Sequence, residues 1–467
     1  MPLILHSRFA RIGAASIAGG LIYLSTRQDP VWWAAWLAPI PLLAASFQAP
    51  RGESLLYCVG AALVGNGSQW SRVAAGDGIL WAGFVLALQA AQWLFTVQRT
   101  RALVRQSRHW LIVFAFPALW AAIDTLTAAL SPDGAAASLA DSQVAAAPVL
   151  QSAAVAGTPG VTFIVSLFAS LVAIAWQCRL DIERPLLAYG LPTLVLIGSL
   201  GGGLIRLDHA EIEASFPVGL AATALARSEP EHPPWSEYPD IVATLAAARA
   251  ELVVLPAAFA GSATDGSTEL RDSLGSLARD NQVDLLVGLR LLAGSHVENR
   301  VWLFSPSGAL IVDHAEHPLF PGLGSGDGGS GGEEAVTWIG THAFGVATGK
   351  EMDFPALGRA YAARGIGAML VAELDAGFDD RAHSAPAILR GIEGGYSVIW
   401  AARDGMISIS DRYGRVLAAE APIAGLEHAP LGGGPMTPYA RFGGWFGWLC
   451  IAASVATLVP FRRRKRR

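Results

Sequence analysis

Long apolar runs dominate the first 207 residues of the chain and return once near its end. Seven runs precede a more polar central segment and an eighth follows it, at about 12–26, 31–48, 54–71, 78–97, 109–130, 159–177, 186–205 and 442–461. Because a helix rises 1.5 Å per residue, about 20 apolar residues cross a hydrocarbon core of roughly 30 Å. The pattern therefore predicts a seven-helix transmembrane domain over 1–207 and an eighth transmembrane helix over 442–461.

Basic residues predict the orientation of these helices. If the N-terminus is cytoplasmic, then Arg51, the arginines of 99–108, those of 179–184 and the basic tail 462–467 all lie on the cytoplasmic side, whereas the loop 131–158 on the other side has no Lys or Arg. The positive-inside rule then predicts a multi-pass inner-membrane protein with cytoplasmic N- and C-termini and a periplasmic or otherwise extracytoplasmic segment 212–436. The tail directly follows an apolar run, so we interpret it as an anchor on anionic lipid rather than a nucleic-acid patch.

The central segment 212–436 alternates short apolar strands with helices. Strand patterns cover 217–223, 251–255, 284–289, 301–304, 343–348, 368–374 and 397–402, and helical spacing covers 239–250, 269–280, 355–364 and 382–394. Two further strands, 406–410 and 416–419, are joined by a turn at 411–414 and predict an antiparallel hairpin. Continuous apolar strands between helices are typical of a sheet covered by helices, so we predict an α/β sandwich here.

Composition supports a membrane protein and restricts its chemistry. Hydrophobic residues make up 52% of the 467 residues, charged residues 15%, and the mean hydropathy is +0.41, which is too apolar for an ordinary soluble enzyme. The three cysteines, Cys58, Cys178 and Cys450, have no metal-ligand spacing, form no disulfide framework, and all lie in apolar segments outside 212–436. Because charges are unevenly distributed, the net charge of −5 indicates no particular partner.

Several motifs together resemble the apolipoprotein N-acyltransferases, membrane enzymes with a carbon–nitrogen hydrolase (nitrilase-like) domain. The resemblance covers nearly the whole chain, and its motifs are the proline-containing stretch 37–43, the stretches 141–143 and 151–160, Asn299, the pair Arg390 and Glu393, and the turn sequence 411–416. It implies an extracytoplasmic αββα sandwich between the seventh and eighth spans. It also implies transfer of an acyl chain from phospholipid to the N-terminus of a lipoprotein, with phospholipid and lipoprotein as partners, no nucleic acid and no cofactor.

The catalytic positions depart from that family. The family's glutamate base after a proline is Ala257 here, its lysine two residues before a histidine is Ala315, and its nucleophilic cysteine is Gly349. An acidic residue expected shortly after the histidine is also missing, since Leu323 lies near that place. Glycine has no atom to acylate, and alanine neither takes up a proton nor stabilises an oxyanion. Of this set only Glu351 is retained, so we expect thioester chemistry to be lost.

Weaker candidates lie beside these positions. Lys350 and Glu351 are potential relocated catalytic residues, although a solvated or salt-bridged lysine is the simpler interpretation. The polar group His314, Glu316, His317 and His342 forms no metal signature, and we expect solvated loop residues and no metal. Asp375, after the strand 368–374, is interpreted as structural, and the glycine-rich stretch 322–332 as a flexible loop rather than a phosphate site.

Three functional hypotheses remain open. The favoured one is a degenerate N-acyltransferase relative, a pseudoenzyme that binds membrane lipid, lipoprotein or a partner without acyl transfer. The second is an active acyltransferase or amide-processing enzyme that uses relocated residues such as Lys350 and Glu351. The third is a structural membrane scaffold. The sequence gives no oligomeric state.

Overall fold

A computed structural model gives the structure of the chain in two compact units. It describes residues 7–76, 78–131, 134–135, 138–179, 181–209, 215–221, 238–262, 267–293, 296–317, 334–373, 380–402, 407–420, 425–431 and 436–458. The first unit comprises Met1–Thr127, Ala137–His209 and Phe442–Arg467, and the second comprises Ala128–Ala136 and Ala210–Arg441. Leu323, the stretch 322–332, Asp375 and the tail 462–467 lie outside the described residues.

The described part of the first unit consists of helices joined by short loops. Its helices α1 to α11 are Arg8–Thr26, Trp32–Leu37, Pro39–Gln48, Arg51–Asn66, Trp70–Gly76, Ile79–Gln106, Ala115–Leu130, Ala147–Leu150, Ala153–Ala156, Thr158–Cys178 and Leu191–Asp208. Short 3₁₀ segments cover Gly67–Gln69, Trp110–Phe114 and Leu139–Gln143, and a π-turn covers Leu186–Gly190. The chain returns to this unit for its last described helix, Trp445–Leu458.

Five helical stretches among the described residues are long and apolar enough to cross a membrane. They are Arg8–Thr26, Ile79–Gln106, Trp110–Leu130, Thr158–Cys178 and Leu186–Asp208, which correspond to five of the eight predicted spans. The predicted span 31–48 is instead interrupted after Ala38, because Pro39 has no N–H to continue the hydrogen bonds of α2 and begins α3. The third predicted span is a helix of 16 residues and the last described helix has 14. The count of seven spans remains a prediction.

Two glutamines hold irregular parts of this unit to its helices. Trp36 Nε1 donates to Gln143 Oε1 at 2.8 Å, and Gln143 Nε2 donates to the Trp32 carbonyl at 3.0 Å. Gln151 Oε1 accepts a hydrogen bond at 2.8 Å from Arg206, a basic residue near the end of α11. Backbone that is not regularly helical is tolerated in apolar surroundings only where other groups satisfy its polar atoms. Both glutamines belong to stretches on which the resemblance rests.

The second unit consists of two six-stranded sheets and their helices. Its strands β1 to β12 are Ser215–Leu220, Leu252–Ser262, Asp284–Ala293, His296–Phe304, Leu310–Ala315, Val336–Ile339, His342–Thr348, Ala368–Ala372, Ser397–Ala401, Ile407–Ser410, Val416–Glu420 and Gly425–Pro430. Its helices α12 to α16 are Tyr238–Ala247, Ser267–Asn281, Pro355–Ala363, Asp380–Gly394 and Pro438–Phe442, and a 3₁₀ turn covers Lys350–Asp353. Trp445–Leu458 is accordingly α17.

The two sheets pack face to face with helices outside. The strand orders are β12-β1-β2-β3-β4-β5 and β11-β10-β9-β8-β7-β6. Side chains such as Val254, Leu286 and Leu370 fill the space between the sheets, where they are fully buried. Helices α12 and α13 cover one sheet and α14 and α15 the other, each through its own apolar cluster. This is the αββα sandwich that the resemblance implied, and that fold prediction is confirmed.

The late hairpin is fixed by one aspartate. Strands β10 and β11 pair antiparallel, as predicted. Asp411 Oδ1 accepts from the backbone N–H of Tyr413 at 2.9 Å and of Arg415 at 2.8 Å, and Gly414 takes a positive φ of 75° between them. Aspartate in such a turn replaces a backbone hydrogen bond, and glycine adopts this φ without strain. Three strands were not predicted: β5, β6 and β12.

Candidate functional site

A buried carboxylate organises the region where the resemblance places the catalytic residues. Strand β7 ends at Thr348, and the 3₁₀ turn that follows places Glu351 back against it. Glu351 Oε2 accepts from the Thr348 backbone N–H at 2.7 Å and from its hydroxyl at 3.2 Å. The Glu351 side chain is fully buried, so each of its lone pairs needs a donor from the protein.

Two histidines supply the remaining donors. His314 Nε2 lies 3.0 and 2.9 Å from the two carboxylate oxygens of Glu351. His317 Nδ1 lies 2.5 Å from Oε1, and the His317 backbone N–H donates to the same oxygen at 3.1 Å. We call these four residues (His314, His317, Thr348 and Glu351) the carboxylate cluster. One ligand atom each from His314, His317 and Glu351 lie within 4.8 Å of one another, a spacing that suits a metal ion.

Hydrogen bonds keep this carboxylate ionised. Burial raises the pKa of Glu351, but hydrogen bonds from His314 and His317, the charge of His314 and the Thr348 N–H outweigh burial and lower the pKa to about 2. A carboxylate with so low a pKa is a weak base near neutral pH, because it holds a proton poorly in the transition state. Glu351 is therefore arranged to accept hydrogen bonds.

Gly349, the position where the resemblance places a nucleophile, lies against the side chain of Glu373. Thr348 and Ala372 pair at the carboxyl ends of the parallel strands β7 and β8. Gly349 and Glu373, the next residues of the two strands, are therefore neighbours. A Cβ added at position 349 would lie 2.5 Å from Glu373 Cδ and closer still to Oε2. Real Cβ atoms do not approach other atoms so closely. Glu373 is only 6% exposed, and its carboxylate would have to shift to admit a side chain at position 349.

The other two substituted positions carry no reactive group. Ala257 lies in β2, where the register with β3 shifts between Leu255 and Ala258. Ala315 ends β5 and is exposed, whereas the preceding residue, His314, is buried and faces Glu351. Side chains alternate along a strand, so the two neighbours point to opposite faces. The structure thus brings His314 to the carboxylate and turns Ala315 away from it.

The remaining candidates have ordinary contacts. Lys350 Nζ lies 3.8 Å from Asp353 Oδ2 with its side chain 39% exposed, which agrees with the predicted salt-bridged lysine. Glu316 Oε2 accepts from Asn299 Nδ2 at 2.7 Å, and the His342 ring packs edge-on against Phe216. None of these three side chains belongs to the carboxylate cluster.

One prediction about the histidines is wrong. His314 and His317 were expected to be solvated loop residues, yet His314 is buried at the end of β5 and His317 is largely shielded. The alternation in Leu310–Ala315 places His314 on the same side of the strand as Val312, which packs against the core between the sheets. That alternation was the available signal. Glu373 was missed because nothing in the sequence fixes the register of β7 against β8.

Comparison with known proteins gives two matches in sequence. The family model "Apolipoprotein N-acyltransferase N-terminal domain" matches residues 18–171, which belong to the first unit except for Ala128–Ala136. An apolipoprotein N-acyltransferase of Geobacter metallireducens is 25% identical over 505 aligned positions, which cover 96% of this chain and 95% of the relative. The second match therefore extends through both units.

Comparison with solved structures gives alignments over about half of the chain. An amidase of the nitrilase superfamily from Nesterenkonia sp. AN1 aligns with a TM-score of 0.41 and 19% identity, covering 50% of this chain and 95% of the amidase chain. Another structure of a Nesterenkonia amidase aligns with a TM-score of 0.41 and 20% identity, over 50% and 94% of the two chains. By these sequence matches the chain is similar to the apolipoprotein N-acyltransferases, and its long apolar helices fit a membrane protein.

Proposed function

We propose that the chain is a non-catalytic member of this family, which binds membrane lipid or a lipoprotein without acyl transfer through a thioester. The observation that carries the proposal is the pair Gly349 and Glu373, because the place of the reactive thiol is filled by a buried carboxylate. Loss of a catalytic nucleophile alone lowers a rate by roughly 10⁶-fold. Ala257 and Ala315 add the loss of a base and of an oxyanion-stabilising cation.

The relocated-residue alternative has less support. A replacement base needs a lone pair free to take a proton, but the Glu351 oxygens accept hydrogen bonds from His314, His317 and Thr348. A replacement amine nucleophile needs to be uncharged, but Lys350 lies near the carboxylate of Asp353 with a partly exposed side chain. If this alternative held, Lys350→Ala or Glu351→Ala would abolish an activity that the natural chain shows.

The same proposal includes a location. With arginines concentrated in the loop 99–108 and the tail 462–467, the N- and C-termini are cytoplasmic, and the second unit is exported, in the periplasm of a cell with two membranes. Alkaline phosphatase fused after residue 209 is expected to be active, and the same reporter fused after residue 106 inactive. The reverse pattern would contradict the orientation.

A direct acyl-transfer assay tests the proposal. The full chain, purified in detergent, is incubated with phospholipid and a diacylated lipopeptide, and the products are analysed by mass spectrometry. The Geobacter metallireducens relative, prepared in the same way, is the positive control. The expected result is triacylated peptide from the relative and none from this chain; turnover by this chain would refute the proposal.

Lipid binding is tested separately. Lipids extracted from the purified chain are identified by mass spectrometry and compared with those extracted from an unrelated membrane protein purified in the same detergent. An enriched lipid class supports a binding function. An unchanged lipid profile, together with no retention of the lipopeptide, would leave the structural scaffold as the better description.

A further inference from the structure

We propose that His314, His317 and Glu351 form a divalent metal site, of the class that binds zinc, in the second unit. Two imidazole nitrogens and one carboxylate oxygen converge there. The inference does not depend on the proposed function, since a metal ion can stabilise a fold whether or not acyl transfer takes place.

The distances suit such a site. Zinc takes nitrogen and oxygen ligands at about 2.0–2.2 Å, so tetrahedral ligand atoms lie about 3.3 Å apart. His314 Nε2 lies 2.9 Å from Glu351 Oε2, and His317 Nδ1 lies 2.5 Å from Oε1. The three ligand atoms all lie within 4.8 Å of one another. Separating them by less than about 1 Å opens a coordination sphere without refolding the strand or the turn.

The surroundings favour a metal as well. The side chains of His314 and Glu351 are 4% and 0% exposed, and that of His317 is 14% exposed, so the ion would be shielded and reached from the His317 side. Thr348 donates to Glu351 from its backbone and its hydroxyl, and such bonds orient a ligating carboxylate. Two histidines and one carboxylate leave a fourth position for water or another small ligand.

The ligands come from two parts of the fold. His314 lies in β5 and His317 two residues after it, in one sheet. Glu351 lies in the turn after β7, in the other sheet. A shared ion would connect the edges of the two sheets at the place where the family has its nucleophile. Bound metal stabilises the folded state because the unfolded chain has no assembled site.

The test uses the full chain, purified without a histidine tag and stripped with a chelator. It is then equilibrated with Zn²⁺, or with Co²⁺ as a spectroscopic probe, and bound metal is measured by elemental mass spectrometry. About one ion per chain, visible absorption of tetrahedral Co²⁺ and a raised unfolding temperature with Zn²⁺ are expected.

Variants assign the site. His314→Gln and His317→Gln are each expected to weaken zinc affinity by roughly 100-fold or more, with loss of the Co²⁺ absorption. His342→Gln is the matched control, because His342 is a partly buried histidine of the same unit outside the cluster. Retained circular dichroism separates loss of the site from loss of the fold. Failure of the natural chain to bind zinc, or equal binding by the folded His314→Gln variant, would overturn the proposal.

Discussion

Positions 349 and 351 lie two residues apart in one turn, yet they differ in almost every chemical respect. At 351 a carboxylate is fully buried, with donors from His314, His317 and Thr348. At 349 there is no side chain, and Glu373 from the next strand fills the space. Position 351 thus carries a buried carboxylate with its hydrogen bonds, whereas position 349 carries no reactive atom.

This difference shows that a buried, hydrogen-bonded carboxylate can be kept beside a position that carries no reactive atom. A buried carboxylate with five donor groups from three residues stabilises the turn whether or not it serves catalysis. Glycine at position 349 is compatible with the regular pairing of β7 and β8, since Thr348 pairs with Ala372 directly before it. The contrast makes opposite predictions for substitutions on the two sides.

Removing the Glu351 carboxylate is expected to have the largest effect. Glu351→Ala leaves buried donors of His314, His317 and Thr348 unpaired and is expected to destabilise the second unit by about 3–5 kcal/mol. Glu351→Gln keeps one acceptor oxygen and is expected to lose less. Unfolding of the full chain in detergent, followed by scanning fluorimetry, measures both.

Lys350→Ala is the control for this comparison. Its side chain is 39% exposed and its ion pair with Asp353 is long, so a change within about 0.5 kcal/mol is expected. Equal losses from Lys350→Ala and Glu351→Ala would show that the cluster is not the source of stability.

Acid is expected to weaken the same network. The pKa of Glu351 is lowered from 4.5 to about 2 in the folded chain, so its contribution is complete above pH 4.5 and is lost as the pH falls toward 2. The shift corresponds to about 3 kcal/mol. The natural chain should therefore lose stability across this window, and Glu351→Gln should lose less. Parallel pH profiles for the two proteins would contradict this assignment.

Restoring a thiol tests the other side of the comparison. Gly349→Cys is expected to give no acyl transfer and to destabilise the chain by about 1–3 kcal/mol, because the new Cβ overlaps the Glu373 carboxylate. In the Glu373→Ala background the same substitution should be better tolerated, and a double-mutant cycle measures the coupling. Additive effects of the two substitutions would show that Glu373 does not fill the position.

Asp284 is expected to show the opposite pH dependence of stability from Glu351, with a smaller magnitude. Burial, with a contribution from Glu251, raises the pKa of Asp284 from 3.8 to about 6. Its ionised form is therefore disfavoured in the folded chain, and stability from this group is lost as the pH rises through 6. Asp284→Asn is expected to stabilise the chain by about 1 kcal/mol at pH 8 and to have little effect at pH 4. A stabilisation independent of pH would contradict the assignment.

The sequence predicted most of the layered fold, because its strands are apolar and its helices periodic. Strands β7, β8 and β9 are continuous apolar runs in the sequence. The hairpin was recognisable from the turn residues that begin at Asp411. The unpredicted strands have weaker patterns. Strand β6 has four residues at a sheet edge, and β12 pairs with β1, which lies far away in the chain.

The site was less accessible to sequence reasoning. The three substituted positions are visible in the residues themselves, whereas the carboxylate cluster joins residues 34 and 37 positions apart, from two different sheets. The contact of Glu373 with position 349 depends on strand register, which side-chain chemistry at either position does not reveal. Local patterns thus predicted elements, and the packing of the sheets determined which side chains meet.

The central claim is that no side chain of the second unit accepts an acyl group. It is tested most directly by incubating the full chain with phospholipid, digesting it, and mapping peptides of residues 210–441 by mass spectrometry. The account predicts unmodified peptides throughout, and an acyl-enzyme adduct in the corresponding peptide of the Geobacter metallireducens relative. A fatty-acyl adduct on any residue of 210–441 in this chain would contradict it.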